Sequence, residues 1–182
     1  QPDGVYLDYR YDAAHRLDRI TDNLGNTIEY TLDAMGHRTA ERTFDIADTL
    51  TPKRLLARTY NALARLEREY PVDPQGLSRY HLFGYDDNGN RTDQTDPLGV
   101  KTHWTFDALN RLKNMVADYQ GSDPETADAT TINGYDARDN HTGITDPNVL
   151  ATSYGFDGQN NLDALTSPDT GMTTYTQDAA GN

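Results

Sequence analysis

Aromatic and polar residues alternate in short runs along the chain, and each run ends at an Asp or Asn. The run before Asp12 places Tyr9 and Tyr11 two residues apart, so both rings are expected on one face of an extended strand. Pairs with the same placement are Phe83 and Tyr85, Trp104 and Phe106, and Tyr154 and Phe156. The pattern therefore predicts β-strands that each lead into a turn.

A turn signal follows each of these strands. The acid or amide that starts the turn falls at Asp12, Asp33, Asn61, Asp86, Asp107, Asp136, Asp157 and Asp178. Three residues later stand His15, Gly36, Ala64, Gly89, Asn110, Asp139, Asn160 and Gly181, and all but one are types that tolerate a positive φ. This combination predicts a tight hairpin loop with a bulge. Ala64 is the exception, and we expect it to be strained or its loop to be remodelled.

The turn signals recur at a regular spacing. Subtracting successive acid positions gives 21, 28, 25, 21, 29, 21 and 21, so the basic unit has 21 residues and the longer intervals contain insertions. Ten residues after the acid comes a second turn, predicted as type I, at Asp22–Gly25, Asp96–Gly99, Asp146–Val149 and Ser167–Thr170. Each unit therefore reads strand, turn, strand, turn. Insertions are predicted near residues 43–57 and 117–131, as surface loops or short helical excursions.

The predicted fold is all-β. Tandem antiparallel β-hairpin repeats should form an extended, curved or spiral sheet, because open sheets of more than about ten strands rarely stay flat. Residues 1–182 are predicted to be a single array of about eight units with no separate domain. Since Gly181 and Asn182 fall inside a turn, we expect the chain to be a fragment of a longer one whose open sheet edges could pair with another copy.

Composition and charge restrict the function classes. The 182 residues carry a net charge of -13, with 29 Asp and Glu against 16 Lys and Arg, which argues against nucleic acid and anionic membranes as partners. Only 35% of residues are hydrophobic and the mean hydropathy is -0.84, so we expect a thin sheet rather than a thick core. The chain has no membrane-spanning apolar run, and it has no Cys for disulfides, thiolate metal sites or a nucleophile.

These motifs resemble the YD repeats of bacterial Rhs proteins. The resemblance rests on Tyr11-Asp12-Ala13 with Arg16-Leu17, on Tyr85-Asp86 with Gly89-Asn90-Arg91, and on Asp96-Pro97-Leu98-Gly99, and it covers nearly the whole chain. Similar repeats occur in insecticidal toxin-complex subunits, wall-associated proteins and teneurins. The resemblance implies a β-sheet shell, part of a hollow cocoon. It further implies that the shell encloses a C-terminal toxin and that the protein is secreted or acts at the cell surface.

Two turn sequences and one acidic loop are the candidate chemical sites. Asp73–Leu77 and Asp96–Val100 are similar to the self-cleavage motif of toxin-bearing relatives, but both fall in the phase of the second turn and lack its Arg-Phe context, so we interpret them as ordinary turns. Residues 86–90 offer the oxygens of a calcium loop but lack its terminal Glu, which favours a hairpin turn. The histidines are scattered without metal-site spacing and are expected in turns and on the surface: His15, His37, His81, His103 and His141.

No catalytic, cofactor-binding or metal-binding residues are predicted. The chain lacks a phosphate loop and a nucleophile elbow, and a chemical role for the repeated acid would require eight similar sites. We therefore expect a non-enzymatic structural segment without cofactors, whose partner is the rest of its own chain, including the enclosed toxin. Two alternatives remain open: a carbohydrate-binding surface, if the aromatic rings face solvent, and adhesion through the acidic outer surface.

Overall fold

The computed structural model of the chain describes residues 4–71, 79–119 and 129–178. All regular elements in these ranges are β-strands. The chain divides into two compact units, one of residues 1–83 with 96–98 and the other of residues 84–95 with 99–182, so the boundary passes through the seventh strand. In each unit the strands pair antiparallel with their neighbours in chain order. This confirms the predicted all-β fold of tandem hairpins.

The strands are four to seven residues long. Up to the unit boundary they are β1 (Leu7–Tyr11), β2 (Leu17–Asp22), β3 (Thr27–Leu32), β4 (Arg38–Phe44), β5 (Arg54–Tyr60), β6 (Leu66–Pro71) and β7 (His81–Tyr85). The second unit continues with β8 (Arg91–Thr95), β9 (Lys101–Phe106), β10 (Leu112–Ala117), β11 (Ala129–Tyr135), β12 (His141–Thr145), β13 (Ala151–Phe156), β14 (Leu162–Ser167) and β15 (Gly171–Thr174). No helix in the described ranges is long and apolar enough to cross a membrane.

The predicted bulge is present beside the first turn of each hairpin whose register is described. In β1 and β2, Arg10 lies opposite Arg19 while Tyr11 lies opposite Leu17, so Asp18 is the extra residue. Five further hairpins shift register at the equivalent point: β3/β4, β5/β6, β9/β10, β11/β12 and β13/β14. The bulge lets a short loop close a strongly twisted pair of strands.

The core is thin, as the composition predicts. Among the described residues only Ala40, Leu56 and Val116 are buried, and no polar residue is. Ala40 lies opposite Ala57, whereas Leu56 lies opposite Glu41, so the two buried residues of neighbouring strands β4 and β5 point to opposite faces. Most strand residues are half-buried instead. Stability must therefore come largely from strand pairing, side-chain ladders and turns.

The left-handed turn residues lie where the sequence predicts them. His15, Asn110, Asp139 and Asn160 have φ between 59° and 68°, and Gly36 and Gly89 have φ of 94° and 95°. Ala64 has φ of 60° in the same kind of loop, so the expected remodelling does not occur and the backbone strain remains. Gly181 lies outside the described residues.

One further left-handed residue is β-branched. Val149 has φ of 65° and is 81% exposed, so its side chain gains nothing from packing that would offset the strain. We expect Val149→Asn to raise the free energy of unfolding by about 1 kcal/mol, because Asn tolerates this conformation and Val does not. Urea unfolding of Val149→Asn beside Val5→Asn, an exposed Val without positive φ, checks this. A gain in both variants, or in neither, would contradict it.

The insertion near residues 43–57 is a hairpin loop rather than a helical excursion. β4 extends into it as far as Phe44, β5 begins at Arg54, and Asp45 and Asp48 form an isolated bridge between them. For the insertion near 117–131, β10 ends at Ala117 and β11 begins at Ala129. Residues 120–128 between them lie outside the described part of the chain.

Candidate functional site

The repeated acid organises a five-residue turn loop, numbered here from position 1, the acid, to position 5. In the loop of Asp107, the carboxylate Oδ1 accepts the amide N–H of Leu109 at 2.9 Å and that of Arg111 at 3.0 Å. Its Oδ2 accepts Arg111 Nε at 2.7 Å. Two backbone bonds close the loop, from Asn110 N to Asp107 O and from Asp107 N to Arg111 O. One carboxylate thereby satisfies three donors.

The same loop recurs along the chain. Both backbone closures are present in the loops that start at Asp12, Asp22, Asp33, Asn61, Asp86, Asp107, Asp136, Asp146 and Asp157. Asp22 and Asp146 belong to second turns that were predicted as type I, so at these two places the second turn is closed in the same way as the first. Asn61 Oδ1 accepts the amides of Leu63 and Arg65, which shows that an amide oxygen can replace the carboxylate in this role.

Seven of the loop carboxyls have a pKa that is lowered by hydrogen bonds, which favour the charged form. Side-chain bonds from position 5 are the main cause that lowers the pKa below the ordinary value at Asp22, Asp33, Asp86, Asp136 and Asp157. For Asp12 and Asp107 the main cause of the lowered pKa is the backbone N–H of Arg16 and of Arg111. A carboxyl with a lowered pKa that already accepts several hydrogen bonds is poorly suited to general acid catalysis at neutral pH.

These shifts predict how stability depends on pH. Each of these seven native carboxyls has a pKa below its unfolded value of about 3.9, so its contribution to stability is fully present above that value and is lost as the pH falls through the native pKa. Because protonation of each of these carboxyls lowers the stability of the folded chain, their effects add up. We therefore expect the urea concentration at the unfolding midpoint to stay level from neutral pH to about 5 and then to fall steeply. Unfolding curves between pH 7 and pH 3 measure this. A level midpoint throughout would contradict the role of the loops.

Position 5 also links one turn loop to the next, and these contacts form what we call the loop ladder. In the first unit, Arg16 Nη1 donates to the carbonyl oxygen of Asp33 at 2.8 Å. In the second, Arg111 Nη1 donates to the carbonyl oxygen of Asp136 at 2.9 Å and to Asp139 Oδ1 at 2.8 Å. Asn side chains do the same from Asn90 to Asn110 and from Asn140 to Asn160. Successive hairpins are therefore joined at their loops as well as by strand pairing.

Several aromatic rings between β3 and β13 are covered by cations or imidazoles. Arg111 lies 4.7 Å from the centre of the Tyr135 ring, and Arg91 lies 5.1 Å from that of Trp104. His37 stacks on Tyr60 at 4.8 Å between ring centres. Further stacked or tilted pairs are His81 with Phe83, His103 with Tyr119, and His141 with both Tyr135 and Tyr154. In contrast, Tyr6, Tyr9 and Tyr11 at the start of the chain are exposed.

The histidines differ in part from the expectation. His15 is an exposed turn residue, as predicted, but the other four are half-buried in the ring contacts. For His81 the sequence does carry a local signal, because Phe83 lies two residues further along β7. The partner rings of the other three lie at least six residues away in the sequence and are brought close by the fold. The described residues contain no group of three His, Asp or Glu side chains that could hold a metal ion.

The two candidate chemical loops are turns where they are described. Asp86 Oδ1 accepts the amide of Asn90, and its Oδ2 accepts the Asn90 side chain, so these oxygens already serve the loop. Asp96 Oδ1 accepts the amide of Leu98 at 2.8 Å, and Gly99 has φ of 89°. Asp73–Pro74 and its neighbours to Leu77 lie outside the described residues.

One polar cluster on the strands was not foreseen from the sequence. Asp93 Oδ1 lies 2.8 Å from Lys101 Nζ and 2.9 Å from His103 Nδ1, and His103 stacks on Tyr119. Burial acts to raise the pKa of Asp93, but the bonds from Lys101 and His103 outweigh it, and the pKa is lowered. With its carboxylate paired on both sides, this cluster supports the sheet rather than offering a free acid or base.

Fold and loops together define a class of protein, the tandem β-hairpin repeat protein with acid-centred turns. Residues 11–45 and 85–119 match the family model described as RHS Repeat. Two segments of the chain therefore match the RHS repeat, and this confirms the predicted resemblance to the YD-repeat (Rhs) family. No curated protein matches the chain.

Solved structures share this fold. The crystal structure of TcdB2-TccC3-Cdc42 matches 96% of the chain with a TM-score of 0.72 and 15% identity. The crystal structure of TcdB2-TccC3 matches 96% of the chain with a TM-score of 0.71 and 15% identity. The structure of the Photorhabdus luminescens Tc holotoxin pore with a TccC3 mutation matches 94% of the chain with a TM-score of 0.70 and 16% identity. The chain spans only 10% of the length of each of these chains.

Proposed function

We propose that this chain is a non-enzymatic wall segment of a longer, secreted or surface-exposed Rhs protein that encloses or presents a C-terminal toxin. The loop ladder is the observation that carries the proposal. In it, the side chain at position 5 of one acid-centred loop bonds to the next loop, so successive hairpins are held together. A continuous sheet that separates a cargo from its surroundings requires such links. The fold shared with toxin-complex structures over nearly the whole chain supports the same role.

The absence of spare chemistry on the repeated acid supports a structural role. Each loop carboxylate bonds within its own loop, as Asp107 does with Arg111, and the side chain at position 5 forms the bond to the next loop. An active site would need a group that is free to exchange a proton or to attack a substrate. The assignment as a non-enzyme, without cofactors and without nucleic acid as a partner, belongs to this proposal. Association of open sheet edges with another copy stays a prediction.

Accessibility of the two sheet faces tests enclosure. Ala129 and Ile132 are exposed and lie three residues apart on β11, so their side chains point to opposite faces. Because the chain has no Cys, Ala129→Cys and Ile132→Cys each introduce one defined thiol. They should be made in the complete protein with any other cysteines replaced. If the sheet encloses a cargo, a small maleimide labels both positions, whereas a bulky polyethylene-glycol maleimide labels only one. Equal labelling of both by the bulky reagent would contradict enclosure.

A second candidate, glycan binding, is favoured by the exposed rings of Tyr6, Tyr9 and Tyr11, which are 49% to 60% exposed. Exposed aromatic rings can stack on sugars. The covered rings of the inner strands favour the structural role instead. Chemical modification of tyrosines with and without oligosaccharides separates the two roles. Protection of these three rings by a sugar would support glycan binding. If the sugar left their modification unchanged, glycan binding would lose this support.

A further inference from the structure

Three exposed apolar side chains lie at the second-turn edge of the first unit, one on a turn loop and two on the insertion that contacts this loop. Leu24 is 65% exposed, Ile46 is 58% exposed and Leu50 is 91% exposed. Leu24 is at position 3 of the loop that starts at Asp22, and Ile46 and Leu50 belong to the insertion between β4 and β5. We call these three residues the apolar edge patch.

Contacts hold the insertion against the neighbouring turn loop. The amide of Ile46 donates to Asn26 Oδ1 at 3.1 Å, and Asn26 is position 5 of the Asp22 loop. The Ile46 side chain covers Gly25 so closely that a Cβ there would lie 2.5 Å from Ile46 Cδ1. Gly25, with φ of 93°, thus serves both the turn and this close approach. The patch is therefore a built surface, in which the insertion is docked onto the turn.

The turn loop itself does not require an apolar residue at position 3. In three other copies of the loop this position is held by the polar residues Arg138, Asn148 and Gln159, and each donates the same amide to the same carboxylate oxygen. The exposed Leu24 therefore contributes nothing that a polar residue could not contribute to the loop. The same holds for Leu50, whose backbone amide alone bonds Asp48. An exposed leucine at position 3 is not unusual by itself, because Leu98 and Leu109 share it. Leu24 also has the exposed Ile46 held against its own loop, and apolar side chains grouped in this way point to contact with something else.

The charges around the patch are mainly negative. Asp22, Asp45 and Asp48 each accept backbone amides at its border. Two cations are nearby: Lys53, whose Nζ lies 4.0 Å from Asp48 Oδ2, and Arg54, whose Nη1 lies 3.5 Å from Glu41 Oε1. The whole chain has the same bias, with a net charge of -13. Negative charge next to apolar side chains complements a segment that carries both Lys or Arg and apolar residues.

From the docked insertion, the unneeded apolar side chains and the acidic border, we propose that the apolar edge patch binds a basic amphipathic peptide segment of another polypeptide. Apolar side chains of the segment would cover Leu24, Ile46 and Leu50, and its cations would lie beside Asp22, Asp45 and Asp48. This interaction goes beyond the wall function. The two proposals can be distinguished, because the chain could bind such a segment without enclosing a cargo, and it could enclose a cargo without binding such a segment.

A matched pair of double variants in the complete protein tests the proposal. Leu24→Gln with Leu50→Gln removes two of the three apolar side chains of the patch, whereas Leu98→Gln with Leu109→Gln changes two other leucines that are more than half exposed, at position 3 of other turns. The probe is a fluorescent helical peptide of Leu and Lys, about 18 residues long so that it can hold a helix. Its acidic analogue has Glu in place of Lys. Binding is measured by fluorescence anisotropy, and unchanged thermal unfolding confirms that the variants are folded.

We expect the Leu24/Leu50 variant to bind the basic peptide at least tenfold more weakly than both the wild type and the Leu98/Leu109 variant. The acidic analogue should not bind, and added salt should weaken binding of the basic peptide. Equal affinity for the two double variants would overturn the proposal, as would equal binding of the acidic analogue. If the wild type bound no peptide but self-associated, and lost this association with Leu24→Gln and Leu50→Gln, a second copy would be the partner and the proposal would be wrong.

Discussion

Leu56→Ala is expected to lower the free energy of unfolding by about 2–4 kcal/mol, the cost of removing a large buried apolar side chain. Leu56 is 7% exposed and is one of only three buried residues in the described part of the chain. A thin sheet has few other contacts that could close around the cavity. Urea unfolding of the variant measures the loss.

Leu50→Ala is the matched control for this prediction. It makes the same chemical change at a side chain that is 91% exposed, so its effect should stay within about 0.5 kcal/mol. Equal losses at Leu56 and Leu50 would show that burial in the sheet does not determine stability. A small effect at both positions would mean that the sheet depends on its turns and strand pairing alone.

Arg111→Ala is expected to cause the largest loss among substitutions of the loop ladder. The guanidinium bonds Asp107 within its own loop, reaches the backbone of Asp136 and the side chain of Asp139 in the next loop, and covers Tyr135. Removing it leaves the Asp136 carbonyl without that donor and uncovers the ring. We expect a melting temperature several degrees lower, measured by circular dichroism. Arg111→Lys should recover only part of the loss, because an ammonium group cannot form the same planar fork.

Lys113→Ala is the control for Arg111. Lys113 is an exposed residue two positions further along, on β10, and its change should leave the melting temperature close to that of the wild type. If Arg111→Ala unfolded at the same temperature as Lys113→Ala, the ladder would contribute nothing measurable. The contacts between loops would then be a consequence of the fold and not one of its supports.

The turns could be predicted from the sequence because their requirements are local. A carboxylate or amide at position 1 and a residue tolerant of positive φ at position 4 are both visible in single loops, as in Asp107 and Asn110. Ala64 follows the loop despite its residue type, because Asn61 and the flanking strands impose the conformation. Val149 carries no residue-type signal for a left-handed backbone, so its position could be found only from the structure.

The loop ladder and the covered rings depend on residues far apart in sequence. Arg or Asn at position 5, as at Arg16 and Asn90, is a signal that the sequence contains, yet its partner is 17 to 20 residues away and follows only from the register. The same applies to His103, whose neighbours Asp93 and Tyr119 come from strand pairing and from the end of β10. Local patterns predicted the unit, and the links between units required the structure.

Asp107→Asn compared with Asp107→Ala tests most directly the claim that the repeated acid acts by accepting hydrogen bonds in its loop. Asn retains the oxygen that accepts the amides of Leu109 and Arg111, as Asn61 already does beside Arg65, whereas Ala removes it. We predict that Asp107→Asn keeps the Leu109 and Arg111 amides protected from hydrogen exchange and that Asp107→Ala exposes both. If Asn lost protection as completely as Ala, the charge and not the hydrogen bonding would be essential, and the architectural account of the acid would be wrong.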